Sequence, residues 1–282
     1  MSLDVDILGL SPGAVSLVRN LVHEHTGLFY DDNRLGHFAD RLAPLVTGRG
    51  FDTCLDYYYY LKYDPNAADE WPRVMDALAV PETYFWREID QLRAVVDVIV
   101  PSLAQQLMRP VRIWSVPCAT GEEPLTLAMM LDQRGGGEPV EILASDASPA
   151  ALGIAAAGVY RERAFRNLPA DLRARYFTPH ESRWRIAPSM TARVKWSHVN
   201  LVDTAEVARR ACADIILCRN VFIYFSESAI RKVVETFARA MPTPGYLCVG
   251  AAESLLRISD RFELEQIGDA FVYVKTAREN RR

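Results

Sequence analysis

The chain has 282 residues, 50% apolar and 24% charged, with a formal net charge of −4; it can bury a sizeable core in one large domain or two smaller ones, and its mild acidity argues against a general nucleic-acid binder. No apolar run approaches the roughly 18 residues of a membrane span, and the opening MSLDVDILGL is acidic with no basic n-region, so no secretory signal is expected. The five cysteines (Cys54, Cys118, Cys212, Cys218, Cys248) form no CxxC pair; neither a metal centre nor a disulfide framework is expected, and a reducing cytoplasm fits.

Charge divides the chain unevenly. Residues 1–80 hold 6 Lys or Arg against 12 Asp or Glu, and the remainder 26 against 24. The acidic part reads as a small all-α N-terminal domain. SPGAVSLVRNLVHEHTG has a Ser11 cap, Pro12 in the first turn and Gly27 as a stop. NRLGHFADRLAPLV, FDTCLDYYYYLKYD and EWPRVMDALAV continue the helical pattern. Short helices are marginal alone, so these must pack on each other or on the remainder of the chain.

From about residue 88 a long helix is expected toward Pro110, bent or broken at Pro101. VRIWSV, VEILAS, DIILCR and GYLCVGA are then short apolar strands separated by helical segments. The alternation predicts an α/β fold, a doubly wound, mostly parallel sheet covered on both faces, over residues 81–282. RFELEQIGDAFVYVK alternates like a closing antiparallel hairpin. Such sheets bind ligands beyond the carboxyl ends of their strands, so the chemistry is sought there.

After VRIWSV comes PCATGEE. A dinucleotide fold would place GxGxxG here to hold a pyrophosphate on helix amides. Only Gly121 is present, and Glu122 and Glu123 occupy the helix start, where they suit the helix dipole but would repel a phosphate. A cationic, hydroxyl-bearing ligand such as S-adenosylmethionine fits better; plain first-turn glutamates are an equally good reading of this stretch alone. Asp146, after VEILAS, sits where an adenosine ribose is gripped, with Ser148 as the better helix cap. Arg219, Asn220 and Tyr224 follow DIILC. Asn220 offers both a donor and an acceptor, and Tyr224 carries a hydroxyl that needs a partner if buried. In PETYFWRE, Thr83 and Arg87 share a helix face; Arg87 suits a carboxylate, and pairing with Glu88 or Asp90 is the alternative. Phe85 and Trp86 read as domain-packing residues. Residues 160–200 hold nine Lys or Arg and three acids, a local basic field that either steers an acidic partner or is a solvated surface excursion.

PETYFWRE, WSVPCATGEEPLTLAM, ASDAS, GVYRERAFRNLP, RYF, VNL, ILCRNVFIYF and AAESL occur in the order seen in CheR-type chemoreceptor methyltransferases, and from about residue 80 to 275 the chain resembles that family. The resemblance implies a Rossmann-like class I methyltransferase domain with a small β-subdomain inserted at about 160–195. It implies methyl transfer from S-adenosylmethionine to glutamate side chains of receptor signalling helices, giving γ-methyl esters that tune signalling, with S-adenosylhomocysteine as product. By the same resemblance Thr83, Arg87, Glu122, Glu123, Asp146, Asn200, Leu201, Arg219 and Asn220 line the cofactor pocket, and Tyr224 and Arg87 serve the reaction. The chain departs from the family at Pro81, where an asparagine is usual, and at Ala251, where a histidine is usual. A monomer in the cytoplasm is expected. Two other readings stand beside this one: a small-molecule carboxyl methyltransferase, and a regulatory module that holds cofactor or receptor without turnover.

Overall fold

The computed structural model describes residues 11–276 except 81, 136 and 138; Pro81 therefore lies outside the described residues. The N-terminal part is helical: α1 (Pro12–Thr26), α2 (Leu35–Gly48), α3 (Cys54–Tyr63) and α4 (Trp71–Leu78). Ser11 caps α1 by accepting from the Ala14 amide, and Gly27 ends it in the left-handed region at φ 78°. These helices bury one another around Val18, Val22, Phe38, Leu42, Tyr57 and Leu78. Glu70 is fully buried there, held by Arg49 at 2.5 Å and by the Tyr57 hydroxyl at 3.1 Å.

The expected helix toward Pro110 is α5 (Ile89–Arg93), a wide π-type turn over Ala94–Ile99, and α6 (Val100–Gln106). The widening precedes Pro101, which has no N–H to give the preceding turn; the Val100 amide reaches back five residues to the Val95 carbonyl. The helix continues through Pro101 without being broken.

There follow β1 (Val111–Ser115), α7 (Glu122–Gln133), β2 (Val140–Asp146), α8 (Pro149–Ala157), β3 (Val159–Tyr160), α9 (Ala170–Tyr176), β4 (Phe177–His180), β5 (Arg183–Ile186), α10 (Pro188–Thr191) and β6 (Val194–His198). The chain continues through α11 (Thr204–Arg210), β7 (Ile215–Leu217), α12 (Glu227–Ala240), β8 (Gly245–Cys248), β9 (Glu263–Ile267) and β10 (Ala270–Lys275). The main sheet runs β6-β2-β1-β7-β8-β10-β9, parallel except for β10, which is antiparallel to both neighbours. This is the doubly wound, mostly parallel sheet expected. Strand order reverses at β1, so a crevice opens beyond the carboxyl ends of β1 and β7.

Sequence patterning missed β6. VKWSH mixes charged and apolar residues at the sheet edge and lacks the continuous apolar run of the central strands. The separate three-stranded sheet, β3-β5-β4, ends at Ile186, and Val194 and Lys195 already belong to the main sheet. The excursion is thus shorter than the expected 160–195. Phe85 packs it onto the body: fully buried, it meets Tyr160, Phe165 and Phe177 with ring centroids 4.8, 5.5 and 5.0 Å away.

Candidate active site

A cavity of about 130 Å³ occupies the switch point. Four strand ends form its floor: Pro117–Ala119 after β1, Asp146–Ser148 at the end of β2, Val199–Leu201 after β6, and Arg219–Val221 with Tyr224 and Phe225 after β7. The helical part supplies the roof, with Thr26, Leu28, Met75, Ala79 and Val80. Thr83, Arg87, Glu123, Asp146, Asn200, Leu201, Arg219, Asn220 and Tyr224 all line this one space.

The roof is fastened along a seam. The Phe29 amide donates to the Tyr224 carbonyl at 2.7 Å, and the Asn200 side-chain amide donates to the His25 carbonyl at 2.6 Å. The Ser148 hydroxyl donates to Asp76 on α4 at 2.5 Å, and His23 Nε2 lies 2.8 Å from Ser226 Oγ. Sequence reasoning missed the roof residues because an apolar residue facing a cavity has the same pattern as one facing a core.

The two adjacent glutamates part company. Glu123 lines the cavity; its carboxylate accepts from Ser115 Oγ at 2.7 Å and pairs with Arg219 at 3.1 Å. Burial pushes its carboxyl up, with Arg219 and Ser115 opposing. Glu122, expected to face a ligand beside Glu123, is not in the cavity wall. As the first residue of α7 it lies 100° round the helix from its neighbour. Its carboxylate is buried and accepts from Thr120 Oγ1 at 2.7 Å. Burial raises its pKa to about 7. Gly121 permits this turn. It sits at φ 93°, and a Cβ there would come within 2.8 Å of the Ala155 Cβ and 3.0 Å of Trp196.

Asp146 accepts the Ala119 and Ser148 amides, one on each oxygen, both at 2.8 Å. Each oxygen keeps a lone pair for a hydroxyl. Burial raises its pKa, with those amides opposing. Ser148 caps α8 by accepting from Ala151, as read from the sequence. Arg87 donates to the Glu82 carbonyl at 2.7 Å and lies 3.8 Å from Glu88, so the alternative reading of its pairing describes this structure, while the side chain still borders the cavity.

Glu88 is the residue that sequence reasoning undervalued. It accepts from Asn220 Nδ2 at 3.0 Å, from the Ala251 amide at 3.1 Å and from Arg219 at 3.3 Å. Arg219 is 5% exposed and also donates to the Arg87 carbonyl at 2.8 Å; its Nε is buried with no partner. Glu253 accepts the Asn220 backbone N–H at 2.8 Å. Trp86, Glu88, Ala119 and Asn220 all have positive φ, 70°, 46°, 47° and 59°. Such residues cost about 1–2 kcal/mol each and persist where surroundings over-determine them, typically at functional sites.

The basic field is neutralised in part. Arg166 pairs with Glu82, Arg173 with Glu162, Arg175 and Arg193 with Asp132, and Lys195 with Glu141. Arg161, Arg163, Arg183 and Arg185 make no salt bridge among the described residues. Among the described residues no cluster of three or more His, Cys, Asp or Glu could hold a metal ion, and no helix is long and apolar enough to cross a membrane.

Residues 81–271 match the family described as CheR methyltransferase, SAM binding domain, and residues 14–79 match its all-alpha domain. The chain belongs to the CheR methyltransferase family. Chemotaxis protein methyltransferase 2 of Vibrio cholerae is 31% identical over 264 residues, 91% of each chain. Chemotaxis protein methyltransferase 1 of the same organism is 30% identical, covering 88% of this chain and 91% of its own. The probable biofilm formation methyltransferase WspC of Pseudomonas putida is 32% identical over 78% of this chain and 52% of its own length. The CheR SAM-binding domain accounts for the sheet and its cavity, and the CheR all-alpha domain accounts for the roof.

Proposed function

We propose that this protein transfers the methyl group of S-adenosylmethionine to glutamate side-chain carboxylates on the signalling helices of a chemoreceptor in the cytoplasm, giving γ-methyl esters and S-adenosylhomocysteine. The observation that carries the reading is a switch-point cavity lined by Glu123 and Asp146, with no glycine-rich phosphate cradle, on the family's SAM-binding domain and roofed by its all-alpha domain. The residues present fit the donor. Asp146 has lone pairs left for ribose hydroxyls, Arg219 Nε is an orphaned donor for a carboxylate, and Asn220 Oδ1 and Glu123 are acceptors for an ammonium. When bound, S-adenosylmethionine supplies an electrophilic methyl on a sulfonium.

The chain's own part is alignment and exclusion of water. A glutamate nucleophile has an unperturbed pKa of about 4.3 and arrives ionised at pH 7, so no general base is required. Holding two reacting groups in line supplies roughly 7–11 kcal/mol of barrier reduction. Tyr224 and Arg87, both on the cavity wall, orient the carboxylate and the donor; Thr83, Leu201 and Asn200 shape the remaining wall. The test is transfer of labelled methyl to a receptor signalling fragment, scored as base-labile release of methanol. Methylation of small carboxylates without receptor would establish a small-molecule enzyme. Donor binding with no transfer to any acceptor would establish a regulatory module.

A further inference from the structure

We propose that Glu88 is the positioning residue that makes this cavity prefer a cationic methyl donor: it fixes the amide of Asn220 and neutralises Arg219. The inference rests on the reading of the cavity as a donor site and extends it to a residue that does not itself border the cavity. Glu88 lies behind the wall, against Asn220 and Arg219, which do.

Its contacts have two consequences. An ionised carboxylate only accepts hydrogen bonds, so the Asn220 amide must turn Nδ2 toward it, at 3.0 Å. That leaves Asn220 Oδ1, which accepts no hydrogen bond among the described residues, as the free atom of a cavity-lining amide. An acceptor there attracts positive charge. The second consequence concerns Arg219, a cation in the wall of a site meant for another cation. Glu88 and Glu123 lie on either side of its guanidinium at 3.3 and 3.1 Å, and the two carboxylates outweigh its single positive charge. Burial works against the Glu88 charge, yet Asn220, Arg219 and the Ala251 amide together hold its carboxyl below the usual carboxylate range. Glu88 stands in the left-handed region, which a glutamate seldom adopts, so its geometry is imposed by the clasp and not by local preference; Asn220, also left-handed, tolerates that region.

The sulfonium donor and its thioether product differ by the transferred methyl and one positive charge. Removing one negative charge from behind the wall therefore penalises the donor more than the product. In calorimetric titrations of the full chain, Glu88→Gln is expected to weaken S-adenosylmethionine binding about tenfold and S-adenosylhomocysteine binding about twofold. The double variant Glu88→Gln with Asn220→Asp moves the charge across the same hydrogen bond and should restore the donor-to-product affinity ratio. Glu88→Asp keeps the charge and shortens the reach; it should weaken both ligands and leave the ratio in place, and it carries the test should Glu88→Gln fail to fold. An unchanged ratio in Glu88→Gln, or a ratio in Glu88→Asp that falls as far, would reduce Glu88 to a structural residue and overturn the inference. The unaltered chain failing to bind either ligand would instead overturn the proposed function on which it rests.

Discussion

Asn200 and His25 are joined across the seam between roof and sheet, the Asn200 amide donating to the His25 carbonyl at 2.6 Å while its Oδ1 accepts the Val202 amide at 3.2 Å. The family resemblance gives Asn200 to the cofactor; here its side chain borders the cavity and also holds the end of α1 in place. Asn200→Ala should therefore loosen the roof even with no ligand present. The loss of one such hydrogen bond corresponds to about a five- to tenfold weaker donor affinity. Hydrogen exchange in the ligand-free protein provides the check: the Phe29 amide, bonded to Tyr224, should exchange faster in the variant. Unchanged exchange with weaker binding would make Asn200 a ligand contact alone.

The sequence disclosed more of the floor than of the roof. PCATGEE, ASDAS and CRNVFIYF follow strands whose apolar runs are unmistakable, and strand ends are where a doubly wound sheet holds its ligands. Leu28, Met75, Ala79 and Val80 look like ordinary core residues, and only tertiary structure turns them toward a cavity. Strand β6 was hidden because an edge strand is half-solvated and its pattern is broken by Lys195 and Ser197. The separate fates of Glu122 and Glu123 follow from the 100° step of the helix, yet which of the two faces inward depends on where Gly121 starts α7. Glu88 could be read only as a neighbour of Arg87, since its partners Asn220 and Ala251 lie more than a hundred residues away.

Glu122 predicts a pH signature. Its folded pKa is about 7 against an ordinary 4.5, with burial as the cause and Thr120 and Arg163 opposing. A raised carboxyl pKa means the native state holds its proton more tightly than the unfolded chain. Stability from this group is present below about pH 4.5, falls as pH rises through the window, and is gone above about 7. The full excursion is on the order of 3 kcal/mol. Glu122→Gln keeps the shape and removes the charge, so it should match the unaltered protein at pH 4.5 and exceed its unfolding free energy at pH 8. Urea titrations at the two pH values measure the difference. Because Glu122 is not in the cavity wall, donor affinity at pH 7 should stay within about a factor of two.

At the opposite end of the sheet, Asp214 fastens the entry to β1. It holds Arg109 by two hydrogen bonds at 2.7 and 2.8 Å and accepts the Arg112 amide at 2.9 Å, while only 1% exposed. Asp214→Ala strands a part-buried amide and unpairs a half-exposed guanidinium, and should lower the unfolding free energy by about 2 kcal/mol. Asp214→Asn can still accept from Arg112 and should lose less. Chemical denaturation gives the ordering. Residual protein at low denaturant should bind donor normally, since Asp214 precedes β7 and the cavity lies beyond that strand's other end.

Tyr224 offers the sharpest separation of folding from chemistry. Its ring packs against the helical core, and its backbone carbonyl holds Phe29 at 2.7 Å, so the residue's structural duties belong to its ring and main chain. The hydroxyl makes no hydrogen bond among the described residues, although the residue borders the cavity. Tyr224→Phe should leave stability and donor affinity nearly unchanged. If the hydroxyl orients the incoming carboxylate, kcat and kcat/KM should fall together, by up to about tenfold for one hydrogen bond formed in the transition state. Single-turnover methyl transfer to a receptor fragment isolates that step from product release. A rise in KM with kcat unchanged would mean that the hydroxyl only binds substrate. An unaltered rate would leave Arg87 as the sole candidate for orienting the nucleophile.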